Sequence, residues 1–559
     1  MRKQLATLAA LLLLTACTQD VPGPDPSAPS ATPPSCPRDL DSSLSAWAVA
    51  GFSGSIAVST GDTIDCLAAY GSADENTPNR IDTVFDIGSI SKAVTAAAVL
   101  ALADEGRLKL DDRAGDLLPE LTGPVRAATV RQLLLHTSGL KGTHAGDTQP
   151  MTARQALTAI GRLETAAPPG VKYLYSNAGY TLLALIVEAV SGSGYRDYLA
   201  SRVLRLPRGR TAGGFWNGQP AAPGPRAAGY RADGSRADGG RFAGPFWATE
   251  GNGGLAMTAG DLAAWTRALF TGRIVSAAAT AAIATAGRPI DAHRGETPGW
   301  VAFDATRYGE PFLTAAGGGG DVGHNAVVVW LPRRQRVVAI MSNQLKISAE
   351  DLLRAVGPAI ATGRPLPAPP APAGAADPAA AVGAYRLSTG GSFEVGVRDG
   401  RLAVAAVGAD AVTALFPPPP GVPASRLRAH EELVRRLLAG ETREGRRERA
   451  AFEKGIGPID RVTLAGTTAH EGEIRTYVSV VSRGKPVLGW YALNEEGGVE
   501  AAEVPADEPP TLRLLPSGDN RYRPDDPAGV GPAVSVRIAD GLLTVYRPDG
   551  ATTSARRAG

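Results

Sequence analysis

Three serines in this chain stand three positions before a lysine: Ser89, Ser138 and Ser482. Such a pair can carry out acyl transfer if a neighbouring base takes the hydroxyl proton. Only Ser89 introduces a long apolar helical run, FDIGSISKAVTAAAVLALADEGRL. Residues three apart share a helix face, so the Lys92 ammonium can lie against the Ser89 hydroxyl, which the helix N-terminus also polarises. Ser138 follows VRQLLLHT and precedes Gly139, which reads as a helix end, and Ser482 falls in the Ser-Arg-Gly-Lys turn of an expected hairpin. Ser89 is therefore the candidate nucleophile, and it needs a partner of lowered pKa. Lys92 is the first candidate. Tyr175, in Lys172-Tyr-Leu-Tyr-Ser-Asn177, is the second, because a phenol beside ammonium groups ionises more readily and can accept the serine proton. Among thirteen tyrosines it alone gives Tyr-x-Asn.

These residues must be held by packed elements. From residue 38 to 362 strand-like and helical patterns alternate. Ser55 to Ser59 and Thr63 to Ala69 read as a hairpin, helices follow around Thr129 to His136 and Gly179 to Val190, and Ala326 to Leu331 with Arg336 to Ser342 form a second hairpin. Strands at both ends with helices between predict an α/β (α+β) layered domain. Residues 363–380, rich in Pro and Ala, read as a linker too poor in apolar anchors to pack. Residues 381–559 read as mostly β, with hairpins around Asp399-Gly400 and Asp540-Gly541 and another from Ile474 to Leu493. A charged helical segment, Ala424 to Phe452, suggests a small α+β insertion there. Its Arg443, Arg446, Arg447 and Arg449 are offset by Glu441, Glu444 and Glu448, the pattern of a solvated helix face.

The ordered motifs resemble those of the serine β-lactamase and penicillin-binding superfamily, in its class C β-lactamase, D-alanyl-D-alanine carboxypeptidase and esterase branch. Phe85-Asp-Ile-Gly-Ser-Ile-Ser-Lys92 is similar to the family's first motif, Leu135-His-Thr-Ser-Gly-Leu140 to its helix-ending signature, and Pro169-Gly170 through Tyr175-Ser-Asn177 to its second motif. Gly253-Gly-Leu-Ala-Met-Thr258 resembles a further segment. The resemblance implies a β-lactamase-like domain with a helical cluster and an antiparallel sheet, and makes Ser89 the acylated nucleophile, with Lys92 and Tyr175 sharing general-base and general-acid duties. It gives Asn177 a hydrogen bond to the substrate amide or ester. It builds the oxyanion hole from the Ser89 amide and one on a third-motif strand near Gly320. It also implies that the β-rich C-terminal half is an accessory domain like the small barrels following some members.

The third motif departs from the family pattern. Members place Lys or His before x-Gly on an edge strand facing the serine. Here the run is Thr314-Ala-Ala-Gly-Gly-Gly-Gly-Asp-Val-Gly-His-Asn325, and aligning its glycines puts Gly317 at the cation position. A carboxylate anchor is then missing, which argues against penicillins and carboxylate-ended peptides as efficient substrates. Gly317, Gly318, Gly319 and Gly320 either let a bulky substrate approach the backbone or form a flexible turn. His324 either folds back into the site or starts the next strand as a structural histidine.

The N-terminus, MRKQLATLAALLLLTACTQD, resembles a bacterial lipoprotein signal: two cations, an apolar core too short to span a bilayer, and small residues before Cys17. The expectation is a signal peptide at 1–16, lipid on Cys17 and a flexible tether over 17–37, with the catalytic body outside the cytoplasm on a bacterial membrane. The other reading is an ordinary secretory signal. Cys36 and Cys66, in an oxidising compartment, form a disulfide or stay as two buried thiols. A formal charge of +2 gives no global field for nucleic acid. The six histidines show no metal-ligand spacing, His136 reads as satisfying a core hydrogen bond, and no cofactor is expected. No Gly-x-Ser-x-Gly elbow occurs. The expected partner is a small ester, amide or peptide substrate. The competing class is a tethered, non-catalytic binding or sensor protein that keeps this fold.

Overall fold

A computed structural model describes residues 36–558 apart from 232–233, 238–242, 320–321, 370–377, 399–400, 420–421, 471–472, 494–496, 507 and 527–530. The signal, Cys17, all of the tether before Cys36, Gly320 and the Asp399-Gly400 turn lie outside the described residues. Helix α1 (Arg38–Ala50) leads into the hairpin β1 (Gly54–Thr60) and β2 (Thr63–Tyr70). A helical region follows: α2 (Ser91–Asp104), α3 (Val130–Leu134), α4 (Asn177–Ser191) and α5 (Ala259–Phe270). The chain then returns as β3 (Arg288–Pro289), β4 (Arg294–Thr297), β5 (Trp300–Phe303), β6 (Phe312–Gly319), β7 (His324–Leu331), β8 (Arg336–Ser342) and α6 (Ala349–Thr362). These strands form one antiparallel sheet ordered β2-β1-β8-β7-β6-β5-β4-β3.

Both faces of this sheet are covered, which explains why β7 reads as an unbroken apolar run rather than an alternating one. Ala326, Val328 and Trp330 join the core beneath α2, α4 and α5, while Val327, Val329 and Leu331 join a second core under α1 and α6. Helix α2 is buried on all sides, from Ser91 to Leu102, as its alanine-rich, all-round apolar sequence requires. Helix α4 starts where the Ser176 hydroxyl accepts the Gly179 N–H and stops at Gly192 in the left-handed conformation.

The C-terminal part closes a barrel. Strands β9 (Gly383–Arg386), β10 (Ser392–Arg398) and β11 (Arg401–Val407) precede an insertion, and β16 to β20 complete the ring after it: Thr511–Gly518, Arg521–Pro524, Ser535–Ala539, Leu542–Tyr546 and Thr552–Arg557. The insertion consists of α7 (Ala424–Leu438) and α8 (Arg443–Gly455) packed on a four-stranded sheet of β12 (Ile459–His470), β13 (Glu473–Ser482), β14 (Lys485–Leu493) and β15 (Val499–Glu503). The single charged helix expected from 424 to 452 is thus two, broken at Gly440 (φ +75°). Most of its arginines are exposed, and Arg449 pairs with Glu453.

Two features concern how the parts are tied. Cys36 and Cys66 are disulfide-bonded, fastening the segment before α1 to β2. The first part of the Pro/Ala linker, expected to float, packs: Leu366 touches the α1/α6 core and the buried Trp47 indole donates to the Pro367 carbonyl at 2.9 Å. One indole donor and one leucine suffice where composition promised no anchor.

Candidate active site

Ser89 lies in a short 3₁₀ turn, Gly88–Ile90, that runs directly into α2. The Asp86 carboxylate accepts the Gly88 N–H at 2.7 Å and fixes the turn. Gly88 has φ +46°, and a Cβ there would fall 2.2 Å from the Gly318 nitrogen, so only glycine fits. The three-residue spacing works as expected in this turn: the Lys92 ammonium donates to Ser89 Oγ at 2.8 Å. Lys92 is buried and donates also to the Asn252 carbonyl at 2.9 Å. That carbonyl is held in place because Asn252 Nδ2 donates to the Thr181 hydroxyl at 2.8 Å and the Ala248 carbonyl at 3.0 Å.

The Tyr175 hydroxyl stands 2.7 Å from Ser89 Oγ, and its ring centroid is 4.8 Å from Lys92 Nζ. Three groups separated by up to 86 positions thus meet at one oxygen. Their electrostatics reverse one expectation. Burial pulls the Lys92 ammonium down to about 7, against the opposing pull of Asp147 and Glu296. Burial pushes the Tyr175 phenol up to about 12, outweighing its hydrogen bond with Ser89. The nearby ammonium does not make Tyr175 the readier base, because burial disfavours the charged phenolate more than the Ser89 hydrogen bond favours it. Lys92 is the group poised near neutrality. Tyr175 is 44% exposed, so its ring borders solvent while its hydroxyl faces Ser89.

The segment behind Tyr175 explains why its motif carries a histidine. His136 is buried, and its Nδ1 accepts the Ser176 N–H at 3.1 Å, which leaves the ring proton on Nε2. Its ring lies tilted against Tyr175 at 4.5 Å between centroids, and its carbonyl accepts the Leu174 N–H at 2.7 Å. Burial holds His136 down to about 3, so it is neutral. Behind it sits Glu296 of β4, a residue sequence reasoning missed. The Tyr173 hydroxyl donates to Glu296 Oε2 at 3.2 Å, and His136 Nε2 is 3.9 Å from Oε1. In Arg294-Gly-Glu-Thr-Pro-Gly-Trp300 an acidic residue among turn formers reads as exposed; only the sheet that folds over it buries it. Asn177 opens α4 beside Tyr175, its Oδ1 enclosed and without a hydrogen-bond partner.

The glycine strand β6 requires a correction. Gly317 is not an open position lacking a cation: a Cβ there would lie 2.2 Å from the Ser89 nitrogen and 2.4 Å from the Ile87 carbonyl oxygen. No side chain fits, so position 317 serves close backbone packing against the Ser89 turn. Residues two apart share a strand face, so the nearest preceding side chain on that face is Ala315. Across Phe312–Gly319 there is no cationic residue. Gly318 (φ +108°) is equally confined, a Cβ falling 2.0 Å from the His324 carbonyl oxygen, and Gly319 pairs with His324. His324 itself is buried at the start of β7 between Phe85 and Trp216, its ring centroid 6.2 and 5.1 Å from theirs. Ser138 and Ser482 are both buried, the latter ending β13. Among the described residues no group of His, Cys, Asp and Glu is arranged to hold a metal, and no helix is long and apolar enough to cross a membrane.

Comparison with known proteins places the chain in a family and the fold among known ones. Penicillin-binding protein 4* of Bacillus subtilis is 30% identical over 168 residues, 28% of this chain and 37% of that protein. Penicillin-binding protein 4 of Amycolatopsis lactamdurans is 35% identical over 130 residues, 22% of this chain and 34% of that one. The chain thus spans about a third of the length of these curated relatives. In fold, the octameric penicillin-binding protein homologue from Pyrococcus abyssi covers 81% of this chain and 96% of its own, with TM-score 0.52 and 20% identity. SurE, solved with D-Leu, covers 93% of this chain and 98% of its own, with TM-score 0.50 and 19% identity. The Beta-lactamase family profile matches residues 48–360, more than half of the chain and the whole span from Ser89 to Gly319, and the chain belongs to that family.

Proposed function

We propose that this protein is an exported, membrane-tethered serine hydrolase that forms an acyl-enzyme on Ser89 and hydrolyses an ester or amide. The observation that carries the reading is the convergence of Lys92 Nζ at 2.8 Å and Tyr175 OH at 2.7 Å on Ser89 Oγ. Neutral Lys92 takes the hydroxyl proton as Oγ attacks the substrate carbonyl. The Ser89 amide and an amide from the glycine end of β6 stabilise the oxyanion. Collapse expels the alcohol or amine, which leaves with a proton relayed through Tyr175, still a phenol at working pH. Water then attacks the acyl-serine by the same route in reverse, releasing the acid and restoring Ser89.

The substrate class follows from what β6 lacks. With no cation on Phe312–Gly319, the strand offers no partner to a substrate carboxylate, which favours neutral acyl groups. Cys17 would carry the lipid anchor, and the Cys36–Cys66 bond supports an oxidising compartment. The bare strand is also the feature that best suits a non-catalytic binding role. Intact-mass measurement after exposure to a fluorophosphonate and to a fluorescent penicillin decides between the two. Addition to wild type but not to Ser89→Ala supports the hydrolase, and no addition by either reagent to the folded protein overturns it. A panel of short p-nitrophenyl esters, nitrocefin and D-amino-acid peptides then ranks substrates.

A further inference from the structure

Glu296 is a carboxyl group enclosed behind the site, with no lysine or arginine of the described residues in hydrogen-bond reach. Its side chain is 6% exposed, and its described contacts are the Tyr173 hydroxyl at 3.2 Å and His136 Nε2 at 3.9 Å. Both rings lead forward. His136 meets Tyr173 edge to face at 5.9 Å and lies against Tyr175 at 4.5 Å, and Tyr175 touches Ser89. We propose that Glu296 is the positioning carboxyl group of this site, fixing Tyr173 and His136 so that the Tyr175 hydroxyl is held on Ser89. This rests on the hydrolase reading above.

The neighbourhood sets the form in which Glu296 works. The groups around it are Tyr173, Tyr175 and Tyr180 from the second-motif segment and α4, His136 from the end of α3, and Lys92 from α2, with Arg294 two residues back on β4 acting on Tyr173 and Asp147 acting on Lys92. Three phenols and a neutral imidazole solvate a carboxylate poorly. An isolated buried charge is costly, so burial pushes Glu296 up to about 8, with Tyr173 and Lys92 opposing. At neutral pH it is therefore largely a carboxylic acid, whose oxygen still accepts from Tyr173. Ionisation at higher pH would place a negative charge behind Tyr175. That charge favours the ammonium form of Lys92, which cannot act as base, and opposes the oxyanion forming on the substrate. Glutamine reproduces the neutral acid in size and as an acceptor; leucine reproduces only its volume.

The test measures the rate of fluorophosphonate addition to Ser89 from pH 6 to 9.5, with melting temperature, in wild type, Glu296→Gln, Glu296→Leu and Tyr173→Phe. The expected result is a decline in the wild-type rate above about pH 8 and a Glu296→Gln rate within about twofold of wild type at pH 7 that lacks this decline. Glu296→Leu should be slower by tenfold or more at every pH, and Tyr173→Phe intermediate. A folded Glu296→Leu labelled at the wild-type rate, or the same alkaline decline in Glu296→Gln, overturns the proposal. Melting gives a readout independent of activity. A carboxyl raised from its unfolded value near 4.5 loses stability for the fold as pH climbs towards 8, so the melting temperature of Glu296→Gln should gain on wild type from pH 5 to 8. A constant difference would show that Glu296 is not held as an acid and overturns that part. Wild type that never labels at Ser89 would sink the hydrolase reading instead, with the melting comparison still deciding the state of Glu296.

Discussion

Gly317 presses its α-carbon against the amide of Ser89 so closely that a single added methyl would lie 2.2 Å from that nitrogen. Strand β6 and the turn that carries Ser89 are therefore in backbone contact. Substituting Gly317→Ala must separate them. We expect it to cost about 1–3 kcal/mol of stability through overpacking and about 100-fold in turnover, since displacements near 1 Å at a reacting group have that effect. Gly146→Ala, where an added Cβ meets nothing within 4 Å, is the control and should change neither melting temperature nor rate.

On the proposed hydrolase reading, Lys92 should govern the acid side of the pH profile. Because burial lowers its ammonium to about 7, kcat/KM should rise as pH passes through about 7, where the base form appears. The same shift is a stability statement: between about 7 and 10.5 the unfolded chain binds a proton that the folded one has released, so stability from this group increases with pH across that window. Lys92→Met should abolish the rate dependence together with the activity, by about 10²- to 10⁴-fold, and flatten this part of the stability profile. Calorimetry at pH 7 and 9 checks the second claim.

Tyr175→Phe separates the two proton carriers. Its phenol stays protonated until about pH 12, so its loss should leave the acid limb where it is and lower kcat by about 10²- to 10⁴-fold. A limb displaced towards higher pH would show that the phenolate, rather than Lys92, takes the serine proton.

The Cys36–Cys66 bond closes a loop with 30 residues of sequence separation and lies in the α1 side of the sheet rather than at the site. Replacing both cysteines by alanine should lower stability by about 2–4 kcal/mol and leave kcat unchanged. Chemical denaturation with and without reductant measures it.

Asp525 joins the barrel to the Beta-lactamase domain. Its side chain is 3% exposed and pairs with Arg401 of β11 and, at 3.5 Å, with Lys346, which lies between β8 and α6. Asp525→Asn leaves two cations facing an uncharged amide. We expect about 1–3 kcal/mol of lost stability and faster proteolytic cutting within residues 363–380, with ester turnover per folded molecule unaltered.

Much of this protein is local, and local features are legible in a sequence. The Ser89–Lys92 spacing works because three residues make one helical turn whatever lies around it. The hairpins at β1–β2 and β7–β8 follow from turn residues between β-rich runs, and helix α4 from its serine cap and terminal glycine. Long-range packing is not written in spacing. Gly317 looked like a missing cation, yet what excludes a side chain is the Ser89 turn, more than two hundred residues away in the chain. Tyr175 looked ready to ionise because a lysine was near; the buried surroundings push it the other way. Glu296 drew no reading from the sequence, because only the sheet that folds over it buries it. The sequence by itself determined which polar groups recur in the family's order and that the chain belongs with the Beta-lactamase family. The tertiary structure decided their charge states and the shape of the site, because desolvation and backbone contact depend on what folds over a residue rather than on what stands beside it.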